Sequence, residues 1–110
     1  MEECIFCNII DKKIPAEFAY EDDDFFVIKD INPKAETHLL IIPKKHIFSV
    51  ASLTDEDRKL TSDLIFLAKK MGDERKLSGY KLVFNVGREG GQMVDHMHLH
   101  LLSGKLISLP

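Results

Sequence analysis

His96-Met97-His98-Leu99-His100-Leu101-Leu102 alternates three imidazoles with apolar side chains. In an extended strand, successive residues point to opposite faces. The stretch therefore predicts a strand with all three histidines on one face and Met97, Leu99 and Leu101 on the other, inside a core. Same-face neighbours lie roughly 7 Å apart, which makes the row about 13 Å long. Burying imidazoles without partners costs free energy, so packing alone does not explain three of them. Groups that titrate near neutrality suit binding and chemistry at an anion. His96 and His98 also have the spacing of a His-x-His metal pair. No acidic residue shares their face, however, because Asp95 should point oppositely from His96.

Upstream lies Asn85-Val86-Gly87-Arg88-Glu89-Gly90-Gly91-Gln92, with three glycines in five residues. Glycine accepts positive φ and lets a backbone approach a ligand closely. Successive N–H groups in such a loop can form an anion-binding concavity. Directly before three same-face histidines, the segment is a phosphate-loop candidate.

Working outward, Phe18 to Tyr20 and Phe25 to Ile28 predict strands separated by an acidic turn, and Asp30-Ile31-Asn32-Pro33 a further turn. His38 to Ile42 predicts another strand, ended by Pro43. Thr54-Asp55-Glu56-Asp57 opens a helix, with Thr54 as its cap and acidic residues at the positive end of the dipole. Leu60, Leu64, Leu67, Ala68 and Met71 recur at helical spacing as a core stripe, and Gly72 is the expected stop. Tyr80 to Val86 predicts a strand leading into the glycine loop, and Cys4 to Ile10 a turn or short helix. Strands, one long helix, then strands again indicate an α+β fold with the helix on one face of an antiparallel sheet of about five strands.

The chain has 110 residues, enough for one domain spanning residues 1–110. Its net charge is -3, and Lys44-Lys45 and Lys69-Lys70 are isolated pairs. That excludes the dense phosphate contacts of extended nucleic-acid binding, while a mononucleotide needs only a few. No apolar run approaches the ~20 residues of a membrane span. Met1-Glu2-Glu3 lacks the basic-then-apolar start of a secretory signal. A cytoplasmic location is expected, and Cys4 and Cys7 are then thiols or metal ligands rather than a structural disulfide. A redox pair lacks a surrounding βαβ pattern, and a closed zinc site needs two more ligands.

The His-φ-His-φ-His-φ-φ pattern at 96–102 resembles that of the histidine triad family. The resemblance extends over nearly the whole chain, through Cys4-Ile5-Phe6-Cys7, Asp30-Ile31-Asn32-Pro33, Thr37 to Pro43 with Lys44-Lys45-His46, and Gly90-Gly91-Gln92. It is nearest to the Hint-like branch of nucleoside phosphoramidases and nucleotide hydrolases. It implies a homodimer whose sheet continues across the two-fold axis. It also implies attack by His98 on the α-phosphorus of a purine nucleotide (an AMP or GMP moiety), a nucleotidyl-histidine intermediate, and release of the monophosphate.

By the same resemblance His100, His38 and Gln92 complete the catalytic set. Asp30 and Ile31 contact ribose and base. Asn85, Gly91 and Gln92 approach the phosphates, and Phe6 and Ile28 line the base pocket. Some bacterial-type members hold structural zinc with residues matching Cys4, Cys7, His46 and His96. One departure is Met93, where Hint-like relatives carry a hydroxyl residue; methionine offers no proton. A Trp-containing tail is also absent. The alternatives are a dinucleoside polyphosphate hydrolase and a nucleotide-binding or scaffold protein with little catalysis.

Overall fold

The computed structural model describes residues 4–110; the acidic start at residues 1–3 lies outside the described residues. Cys4 caps a six-residue helix, α1 (Ile5–Ile10), by accepting a hydrogen bond from Cys7 N–H. Strands β1 (Tyr20–Glu21), β2 (Phe25–Lys29) and β3 (Ala35–Pro43) follow as antiparallel neighbours. After the 17-residue helix α2 (Arg58–Glu74) come β4 (Lys81–Val83) and β5 (Leu99–Leu106). The sheet order is β1-β2-β3-β5-β4, antiparallel at every junction. Among the described residues the α+β architecture therefore has five strands, one long helix and a short N-terminal helix.

Alternation divides the sheet into two apolar faces. Val27, Leu39, Ile41, Leu99 and Leu101 pack under α2 with Leu64, Leu67, Ala68 and Met71. Phe26, Leu40 and Ile42 face the other way, against Phe6 and Ile9 of α1. The register sets Leu40 opposite His100 and His38 opposite Leu102. Both histidines therefore open on the α1 face.

Strand ends shift, since β1 covers Tyr20–Glu21 rather than starting at Phe18 and β4 stops at Val83 rather than Val86, and three further expectations need correction. Helix α2 does not begin at Thr54: residues Asp55–Asp57 form a 3₁₀ turn. There the buried Asp57 accepts from Thr54 N–H (3.0 Å) and pairs with Lys45 Nζ (2.6 Å). Gly72 does not stop the helix; it makes room for a ring, since a Cβ there would lie 2.6 Å from Tyr80 Cε1. Finally, the histidine segment is not all strand. β5 begins at Leu99 and leaves His96 to His98 ahead of the ladder, although the alternation of faces persists through them.

Candidate active site and metal centre

The first three imidazoles of interest are His98, His100 and His38, all buried. His98 Nδ1–H donates to the carbonyl of His96 at 2.7 Å. That bond fixes the tautomer and leaves Nε2 with its lone pair. The backbone N–H of Lys34 donates to His38 Nδ1 at 3.0 Å. The proton of His38 must then sit on Nε2, and it is donated to His100 Nδ1 at 2.9 Å. His100 consequently carries its own proton on Nε2, a buried atom with no partner among the described residues. The rings of His98 and His100 are 4.9 Å apart. A lone pair and an orphaned N–H thus come from adjacent same-face histidines, the arrangement for a nucleophile beside a donor to an anion.

Electrostatics keep these rings neutral at pH 7. Burial, then the neighbouring His98 and His38, pushes His100 down to about 4. Burial lowers His38, against the pull of Asp30, whose Oδ2 lies 3.5 Å from His38 Nε2. Burial lowers His98 as well, against its bond to the His96 carbonyl. Neutral imidazoles are what both the tautomer chain and nucleophilic attack require.

Around them, Asp30 begins an Asx turn by accepting from Asn32 N–H at 2.8 Å. Ile31 beside it is 89% exposed, an apolar side chain free to meet a ligand. Phe6 stands edge-on to His98 at 5.2 Å. Ile28 packs partly buried in the same cluster, whereas Phe18 and Phe26 serve the core.

The glycine loop differs from the open cradle expected of it. Gly87 and Gly91 do adopt positive φ, at 70° and 87°. The N–H groups of Gly90, Gly91 and Gln92, however, donate within the loop. The Gln92 side chain is buried and wholly engaged. Its Oε1 accepts from Gly87 N–H, and its Nε2 donates to Phe48 O (2.7 Å) and Val94 O (2.9 Å). In this geometry Gln92 braces the loop from inside, and both hydrogens of its amide already have acceptors. The Asn85 amide lies against Gly91, where a Cβ would meet it at 3.7 Å.

Arg88 closes the loop from outside, onto Gln92 O and Asp95. Sequence reasoning missed Arg88, Asp95 and the Lys34 N–H. A lone cation within a glycine loop, seven residues before an Asp, was the one signal for the first two; nothing marked the third.

The second cluster joins Cys4, Cys7, His46 and His96, whose ligand atoms all lie within 4.8 Å of one another. His96 Nε2–H donates to Pro43 O at 2.7 Å, which turns the bare Nδ1 toward Cys4 Sγ (3.3 Å) and Cys7 Sγ (3.6 Å). His46 Nδ1 lies 3.2 Å from Cys7 Sγ. With zinc–sulfur and zinc–nitrogen bonds of usual length, a tetrahedral S···N edge is about 3.5 Å. The four residues could hold a metal ion, and their donor set and spacing fit a tetrahedral one. Burial, with the Cys4 thiol alongside, pushes the Cys7 thiol up to about 11, so a cation must displace a proton to bind. Burial also lowers His96 to about 4, which keeps Nδ1 free to ligate. Asp30, His38 and His100 also converge, but there Lys34 N–H and His100 already engage both nitrogens of His38.

Comparison with known proteins agrees with this geometry. Residues 3–108 match the family described as Scavenger mRNA decapping enzyme C-term binding. An uncharacterised HIT-like protein of Synechocystis sp. is 42% identical over 110 residues, covering 99% of this chain and 96% of that one. Protein HitA of Neisseria gonorrhoeae is 41% identical over 103 residues, covering 93% and 96%. The crystal structure of a HIT family hydrolase from Legionella pneumophila superposes with a TM-score of 0.91 at 46% identity, covering 98% of each chain. With the alternating histidines, the sheet and the matched length in agreement, this chain belongs to the histidine triad family.

Proposed function

We propose that this chain is a hydrolase acting on the α-phosphorus of a purine nucleotide derivative, NMP–X, with X a phosphoramidate nitrogen or a similar group. The observation that carries this reading is the opposed pair of nitrogens: bare Nε2 on His98 beside protonated Nε2 on His100. His98 Nε2 forms a bond to phosphorus as the P–X bond breaks, and X departs with the bonding electrons and a proton from solvent. The imidazole gains positive charge in this step. Its Nδ1–H bond to the His96 carbonyl then becomes charge-assisted and strengthens as the transition state forms. Water next attacks phosphorus, the N–P bond breaks, NMP leaves and His98 returns to neutral. His100 Nε2–H donates to a phosphoryl oxygen, and His38 holds His100 in that tautomer.

Asp30 and Ile31 take ribose and base, Phe6 and Ile28 wall the base, and Asn85 and Gly91 flank the phosphates. Zinc bound by Cys4, Cys7, His46 and His96 supplies a structural cross-link, not reaction chemistry. The chain acts as one domain over residues 1–110 and as a homodimer in the cytoplasm. Among the described residues no helix is long and apolar enough to cross a membrane. The dimer reading rests on β4 being an edge strand, with Leu82 and, on α2, Phe66 exposed at 39% and 67%.

Met93 favours a second reading. It is 81% exposed beside the glycine loop and cannot protonate a leaving group. A phosphate leaving group needs no such proton, so a dinucleoside polyphosphate is the alternative substrate.

The test is AMP release from adenosine 5′-phosphoramidate, with His98→Ala as control. Wild-type release that falls at least about 10⁴-fold in the variant is the expected result. Turnover of a dinucleoside polyphosphate alone supports the second reading. AMP binding without turnover of either substrate leaves a nucleotide-binding protein, and undiminished catalysis by His98→Ala defeats the mechanism.

A further inference from the structure

The sheet does not hold the nucleophile. β5 starts at Leu99, so His98 lies ahead of the ladder that fixes His100. Its anchors come from elsewhere. Met97 N–H donates to Ile47 O at 2.6 Å, one residue beyond His46. His98 Nδ1–H donates to the carbonyl of His96, whose own ring is tied to Pro43 O. Phe6 presents its edge to both rings, at 5.6 Å from His96 and 5.2 Å from His98. Phe6 sits between Cys4 and Cys7 on a helix of six residues, too short to hold its own shape in water. Apart from the ring contact with His100, each of these anchors is a residue of the four-ligand cluster or a neighbour of one.

We infer that the Cys4–Cys7–His46–His96 centre is a positioning device for His98, so that metal binding and nucleotide binding are coupled. A cation on His96 Nδ1 holds that ring at both nitrogens, because Nε2–H is already engaged. The fixed residue then presents its carbonyl to His98 in one orientation. Cys4 and Cys7, held by the same cation, would keep Phe6 edge-on to the His98 ring. Coupling of this kind is reciprocal: whatever the metal does for nucleotide affinity, the nucleotide does for metal affinity. Phe6 and His96 are then positioning residues.

This inference rests on the nucleotidyl-transfer reading and is tested apart from it. The protein is loaded with cadmium-113, and the cadmium resonance is followed as AMP is added to wild type and to His98→Ala. AMP is expected to move the resonance in wild type and to leave it in place in the variant at saturating AMP. With AMP bound, a resonance unmoved in wild type, or moved equally in both proteins, overturns the coupling. So does a protein that takes up no cadmium, and in either case the AMP-release assay still stands on its own. If AMP does not bind wild type, the nucleotide reading falls. The resting cadmium resonance then decides: identical positions in wild type and His98→Ala overturn the positioning role, and distinct positions support it.

Discussion

His96 and His98 stand two residues apart on one face, both buried, and they are opposite tautomers. His96 spends its Nε2–H on Pro43 O and turns a bare Nδ1 toward two thiols. His98 spends its Nδ1–H on His96 O and keeps a bare Nε2. Residue type and spacing bring both rings to the same side of the chain. Two backbone carbonyls then decide that one ring suits a metal and the other suits phosphorus.

The pair of alanine variants breaks this comparison most sharply. His98→Ala should lose at least about 10⁴-fold in turnover and little in melting temperature. His96→Ala should lose bound metal and melt more than about 10 °C lower, because a structural cation contributes directly to folding free energy. Calorimetry alongside the AMP-release assay separates the two. Equal thermal losses in both variants would mean that the tautomers mark no division of labour.

The next test concerns the chain of donors behind His100. In His38→Ala, nothing donates to His100 Nδ1, and the proton on Nε2 is no longer enforced. A misaligned donor costs up to about 100-fold, and here the loss should fall on kcat with little change in KM. A change confined to KM would make His38 a binding residue instead.

Gln92 offers a smaller effect. Gln92→Ala removes three hydrogen bonds made by a buried amide and leaves Gly87 N–H, Phe48 O and Val94 O without it. Urea unfolding should show a loss of about 1–3 kcal/mol, and on the proposed reading KM should rise. An unchanged stability would return Gln92 to the ligand.

Much of this was legible in the residues themselves. Alternation placed Met97, Leu99 and Leu101 in the core and the histidines opposite, and the leucine stripe marked α2. The four-ligand cluster was reached by resemblance, since Cys4 and Cys7 alone left redox and metal readings open. What sequence could not supply were the backbone partners. Pro43 O, His96 O and the Lys34 N–H belong to no residue type, and they alone select the tautomers. The start of β5 and the packing of Tyr80 on Gly72 escaped for a similar reason, because each depends on a neighbour distant in sequence. The loop misled because glycines signal positive φ, which the structure has, and not free N–H groups, which are largely consumed internally.

The last test sets His100 against solvent. Burial holds it near 4 in the folded chain, whereas an unfolded histidine titrates near 6.5. Between those values the unfolded chain binds the proton first. Stability from this group is therefore complete above about pH 6.5 and is lost as pH falls toward 4, at up to about 1.4 kcal/mol per pH unit. Asp30 opposes the shift, while His98, His38 and Lys34 reinforce it. Denaturant unfolding at pH 7 and pH 5 should show the decline, and His100→Asn should lessen it, with His96, His38 and His98, which burial also lowers, keeping the remainder. A variant that keeps the full slope would place the acid sensitivity at other groups, with His100 more open to water than its burial in the sheet implies.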